Sequence, residues 1–183
     1  EHAANIWAPY LISDVTIVIE ADFQNFGGTN TSATLAGATF YNVHANFTGA
    51  PLSDTWYVSA LANSLSGFDR DPSSPDLYVT INEDVDSNPA VLGGDGFYYG
   101  YDHEAGAQID LLSTLLHEIG HGLGFLSTVD EKDGSYIGSY PDSFTQHMHD
   151  EETDKDWSAM SAAERVTSAI NAPDLVFNGP ATQ

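Results

Sequence analysis

His117-Glu118-Ile119-Gly120-His121 is the stretch of this chain whose residue types and spacing can do chemistry. On a helix, side chains four apart stand one turn apart on one face, with Cβ atoms about 5–6 Å from each other. Two imidazole nitrogens so placed can both reach one Zn2+ at about 2.0–2.1 Å. Glu118 is turned by about 100° from His117, so it approaches the ion from the side and holds water rather than metal. A zinc ion pulls the pKa of bound water toward about 7, and a neighbouring carboxylate can take its proton as the water attacks a carbonyl. Passing that proton to the leaving amine completes the hydrolysis of a peptide bond. The pattern therefore marks His117 and His121 as metal ligands, Glu118 as the catalytic acid/base and Zn2+ as the cofactor. The plainer alternative is two solvated helix histidines beside a surface charge.

These residues need a helix to position them, and the sequence predicts one over 108–123. Ile109, Leu112, Leu116, Ile119 and Leu123 fall at helical spacing as one apolar stripe, with both histidines off it. Gly124 is placed to end the helix in a left-handed turn. Glycine costs roughly 0.8–1 kcal/mol relative to alanine inside a helix. Gly120, Gly122 and Gly124 together therefore predict a close backbone approach or a sharp exit.

Around this helix the pattern is mixed. Val15–Ala21 alternates as a strand, 33–43 reads as extended chain, and 77–81 is a second strand. A helix over 56–65 should stop at Gly67, and 82–106 reads as a loop carrying the aromatic cluster Phe97, Tyr98, Tyr99 and Tyr101. That cluster either lines a substrate cleft or packs on the helix. Further helices are expected over 142–149 and 157–170, then a strand at 175–177 before Asn178-Gly179-Pro180. Few strands and several helices define an α+β fold: one catalytic domain over residues 1–183, or its N-terminal lobe, with a small mixed sheet and an active-site helix.

Composition narrows the function. Twenty-seven acidic residues face only Arg70, Lys132, Lys155 and Arg165, for a net charge of −23. Such a surface offers nothing to neutralise phosphates, so neither nucleic acid nor an anionic membrane is an expected partner. No apolar run approaches the roughly 18 residues of a membrane span. With no cysteine, disulfides, thiolate zinc sites and cysteine nucleophiles are all excluded. No phosphate loop or serine nucleophile elbow is present. The N-terminus lacks the charged and apolar regions of an export signal, which fits a secreted protein whose signal has been removed.

Extended to Leu116–Phe125, the metal motif resembles the active-site helix of the metzincin metallopeptidases, whose pattern continues to a glycine three residues after the second histidine. More narrowly, the chain is similar to secreted bacterial metallopeptidases with an inserted protease-associated domain, distant relatives of leishmanolysin. The resemblance includes 56–63, 76–82, Tyr98-Tyr99-Gly100-Tyr101-Asp102, Pro141-Asp142, Ala163-Glu164-Arg165-Val166 and Leu175-Val176-Phe177-Asn178-Gly179. It implies a zinc endopeptidase acting on protein or peptide substrate outside the cell.

One departure matters. The compact metzincin motif places its third ligand at position 127, and here that residue is Ser127. Catalytic zinc sites use three protein ligands. The resemblance allows a third histidine far downstream, in a C-terminal part of the same precursor. Local candidates are His149, His147 and Asp142, with His103 behind them. Without a third ligand, the rival reading is a non-catalytic metal-binding or adhesive module. Ca2+ is the second cation the sequence admits, at Asp69/Asp71/Asp76, Glu83/Asp84/Asp86 or Asp130/Glu131/Asp133, although none has EF-hand spacing.

Overall fold

A computed structural model describes residues 1–179; Pro180, which follows the expected strand at 175–177 with Asn178 and Gly179, lies outside them. The described chain is a mixed α+β structure in two compact units: residues 1–42 with 58–123, and residues 43–57 with the chain from Gly124 onward.

The first unit opens with helix α1 (His2–Trp7), which the sequence reading left unassigned. Its sheet joins β1 (Ile19–Gln24) and β2 (Ala36–Phe40). The two-residue strands β3 (Val43–His44) and β4 (Tyr57–Val58) stand where the chain leaves and re-enters the unit. Helix α2 (Ser59–Ser66) follows, then strand β5 (Leu77–Asn82), the short helix α3 (Asp84–Ser87), strands β6 (Phe97–Tyr98) and β7 (Ile109–Asp110), and helix α4 (Leu111–Gly122).

Strand β5 is central, parallel to β1 and antiparallel to β2. Leu77, Val79 and Ile81 alternate into a core that also takes Leu111, Leu112, Ile119 and Leu123 of α4. Burying each such aliphatic side chain is worth about 1.5–3 kcal/mol. Three members of the expected stripe, Leu112, Ile119 and Leu123, are thus buried.

Boundaries moved for identifiable reasons. The first strand begins at Ile19 rather than Val15, because the amide of Val18 donates to the Asp76 carboxylate and not to a strand. That carboxylate also accepts from the side-chain amide of buried Asn63. Burial raises the pKa of Asp76. Helix α2 starts three residues later than expected but ends as read, with Gly67 at φ 64°. Helix α4 loses its expected first turn because Ile109 and Asp110 pair with Phe97 and Tyr98. The expected loop over 82–106 contains α3 and β6, and buried Asn82 pins its start by donating to Gly27 and Thr34 carbonyls.

The second unit carries an antiparallel sheet in which β8 (Met148–Asp150) lies between β10 (Leu175–Phe177) and β9 (Lys155–Asp156). The expected helix over 142–149 is only a 3-10 turn at Thr145–His147. The Asp142 carboxylate captures the Thr145 amide, and residues 148–150 are drawn into the strand. The expected helix over 157–170 is likewise broken into a 3-10 turn at Trp157–Ala159 and helix α5 (Ala162–Ser168). Buried Arg165 takes the Trp157 and Met160 carbonyls that a continuous helix would have used. Ser161 and Glu164 then cap a fresh start reciprocally.

Candidate metal centre

The candidate centre stands on the last two turns of α4. Asp110 begins the helix: its carboxylate accepts from the Ser113 amide at 2.9 Å, a bond that lowers the pKa of Asp110. A negative cap also complements the helix dipole. His103 is held here, its Nδ1 at 3.1 Å from the same carboxylate. That places His103 at the helix start, about two turns before His117.

Packing sets which face of α4 turns outward. Ile119 and Leu123 are buried, while His117 is exposed and Glu118 and His121 are half-buried. The two imidazoles converge, with Nε2 atoms 2.8 Å apart, ring centroids 4.4 Å apart and planes at 84°. Two nitrogens at tetrahedral angles around one zinc, each about 2.0–2.1 Å away, would stand roughly 3.3 Å apart. The pair is within a small opening of that geometry, so these two nitrogens fit two of a zinc ion's ligand positions. The structure thus brings together the two residues that the sequence paired.

Two of the three glycines have distinct causes. A Cβ on Gly122 would meet Leu77 of β5 at 2.7 Å, so the helix can lie this close to the sheet only without a side chain there. Gly124 has φ 108° and provides the exit. Gly120, by contrast, would meet only Trp7 at 3.4 Å, an ordinary contact. Trp7 is a residue the sequence reading missed: its indole Nε1 donates to the Leu116 carbonyl at 3.1 Å. No local signal marks it, because its partner is 109 residues away.

The local candidates for a third ligand are all engaged inside the second unit. Asp142 is buried and accepts four hydrogen bonds of 2.7–2.8 Å, from the amides and hydroxyls of Thr128 and Thr145. Ser127, at the compact motif's ligand position, bonds the Thr145 hydroxyl at 2.8 Å. His149 lies between two carboxylates, with Nδ1 at 2.8 Å from Asp156 and Nε2 at 3.6 Å from Asp154. His147 packs edge-on against Phe177. Among the described residues, no three His, Cys, Asp or Glu side chains are grouped to hold a metal ion.

Several carboxylates of the acidic clusters are also engaged. Asp84 accepts from the Gly27 amide, Asp86 from the Phe97 amide and the Tyr99 hydroxyl, and Asp130 and Asp133 cap the turn before Tyr136. The Tyr99 hydroxyl is pushed up to about 12, by burial first and the Asp86 carboxylate second. Within the aromatic cluster, Phe97 packs in the core, while Tyr99 and Tyr101 line a cavity of about 110 Å3 with Leu111, Leu112 and Leu115. A cavity of about 260 Å3 lies further along α4, lined by Trp7, Leu11, Val15, Ile17, Ile119 and Leu123, and by none of the motif's polar residues. Among the described residues, no helix is long and apolar enough to cross a membrane. Compared with protein-family models, with curated proteins and with solved structures, the chain matches none.

Proposed function

We propose that the chain is the catalytic region of a secreted, metzincin-like zinc endopeptidase that hydrolyses peptide bonds in extracellular protein. The observation that carries this reading is the convergence of the His117 and His121 Nε2 atoms at 2.8 Å, with Glu118 on the adjoining position of the same helix. His117 and His121 would hold zinc through these nitrogens. Zinc, when bound, supplies Lewis acidity: it polarises the substrate carbonyl and acidifies water. Glu118 takes the proton of the attacking water at its carboxylate and returns it to the amine nitrogen as the peptide bond breaks. The strongly acidic composition disfavours a nucleic-acid partner.

Engagement of Asp142 and His149 within their own unit favours the second reading, a metal-binding module that does no chemistry. Zinc stoichiometry and casein hydrolysis, measured for this chain and for Glu118→Ala, separate the two. One bound zinc and turnover that vanishes on substitution support the peptidase. Bound zinc without turnover in either protein supports the module, and a chain that takes up no zinc overturns both. An anomalous zinc peak then identifies the third ligand.

A further inference from the structure

We infer that Trp7 is a positioning residue that braces the ligand-bearing turn of α4, an inference that rests on the metal reading of His117 and His121. The turn needs such a brace. Gly120 and Gly122 flank His121 on both sides, and Gly124 follows two residues on. Glycine leaves the backbone more freedom than any other residue, and a helix end rich in it frays. A metal pair performs only when both rings hold their places to within about 0.5 Å. Leu77 against Gly122 steadies one side of this turn.

Trp7 steadies the other. Its indole N–H donates to the carbonyl of Leu116, the residue before His117. Its Cζ2 lies 3.4 Å from where a Cβ on Gly120 would stand, the residue before His121. The indole therefore spans one helical turn at the residues preceding both candidate ligands, and a large side chain at position 120 would displace it. Phenylalanine at position 7 could fill most of this volume but could not donate. The hydrogen bond is thus the separable part of the brace.

The test titrates Co2+ alone into the whole chain and follows its visible d–d absorption, alongside amide hydrogen exchange without metal. Trp7→Phe should weaken Co2+ binding about three- to tenfold, the scale set by one neutral hydrogen bond. It should also alter the d–d band and speed exchange at Gly120–Gly122 by a similar factor. Leu11→Ala, which empties volume in the cavity that Trp7 lines but keeps the indole N–H, should lower Tm and leave Co2+ affinity unchanged. Wild-type affinity in Trp7→Phe, or equal weakening in Leu11→Ala, overturns the brace. If the unsubstituted chain binds no Co2+, the metal reading falls, and unchanged exchange at Gly120–Gly122 in Trp7→Phe removes the brace as well.

Discussion

The last turns of α4 and the polar knot around Asp142 contain the same kinds of side chain put to opposite uses. On α4, His117 and His121 turn their Nε2 atoms toward each other on the outward face, and the turn itself is held by packing against Leu77 and Trp7. In the second unit, Asp142 is inside and spends its carboxylate on Thr128 and Thr145. His149 is likewise flanked by Asp154 and Asp156. Residue identity alone made all of them candidate ligands. What separates them is what each faces: the two α4 imidazoles face each other, whereas Asp142 faces four threonine donors and His149 two carboxylates of their own unit.

The difference is sharpest in a pair of substitutions. Glu118→Ala should lower kcat by about 10²- to 10⁴-fold, the usual contribution of a general acid/base. It should leave zinc content and Tm near wild type, because Glu118 is not a ligand in this reading. Asp142→Ala should do the reverse. It strands the Thr128 and Thr145 donors and destabilises the fold by about 2–4 kcal/mol, read by chemical denaturation of the metal-free chain. Lost zinc with unchanged metal-free stability in Asp142→Ala would make Asp142 a ligand and erase the comparison.

The second unit's buried polar bonds also predict a pH response, which α4 shares only through its cap Asp110, whose pKa the Ser113 amide likewise lowers. Asp150 is held down to about 2, first by the Ser168 hydroxyl and then by the Thr153 amide, against an ordinary value of 3.8. A carboxylate whose folded pKa is depressed stabilises the fold above its unfolded pKa, and loses that contribution as pH falls through the folded one. Thermal stability of this unit should therefore decline between about pH 4 and pH 2. Glu164, also held to about 2 by Lys155 and Ser161, should add a smaller, salt-sensitive share because it is partly exposed. Asp150→Asn should flatten the decline, as followed by near-ultraviolet circular dichroism. An unchanged slope would show that Asp150 does not drive it.

How much of this was legible in the sequence follows from the same contrast. Helix α4 and the central strand could be read because their information is local: Leu112, Ile119 and Leu123 repeat at helical spacing, and Leu77, Val79 and Ile81 alternate. The histidine pair was legible for the same reason, since four-residue spacing is all that convergence requires. The second unit's helices were misread because side-chain-to-backbone bonds and strand pairing, which leave no hydrophobic period, decide them. Arg165 takes carbonyls from Trp157 and Met160, and the pairing of Met148–Asp150 with Leu175–Phe177 stops a helix after one 3-10 turn. Trp7 was invisible because a six-residue helix has little periodicity and its partner is Leu116.

The smallest predicted effects lie within α4 itself, and they test whether packing rather than polar bonding holds it. Gly122→Ala places a methyl 2.7 Å from Leu77 Cδ1 and 2.9 Å from its Cβ, on the sheet's most buried strand, so turning the Leu77 side chain does not relieve the contact. Overpacking of this kind costs about 1–3 kcal/mol. Gly120→Ala meets only the indole at 3.4 Å, and alanine is the better helix former by about 1 kcal/mol. It should therefore be neutral or slightly stabilising. Denaturant midpoints for the two variants give the comparison directly. If both lose stability equally, close approach to Leu77 is not what position 122 requires, and both glycines must serve some demand that the packing of α4 does not reveal.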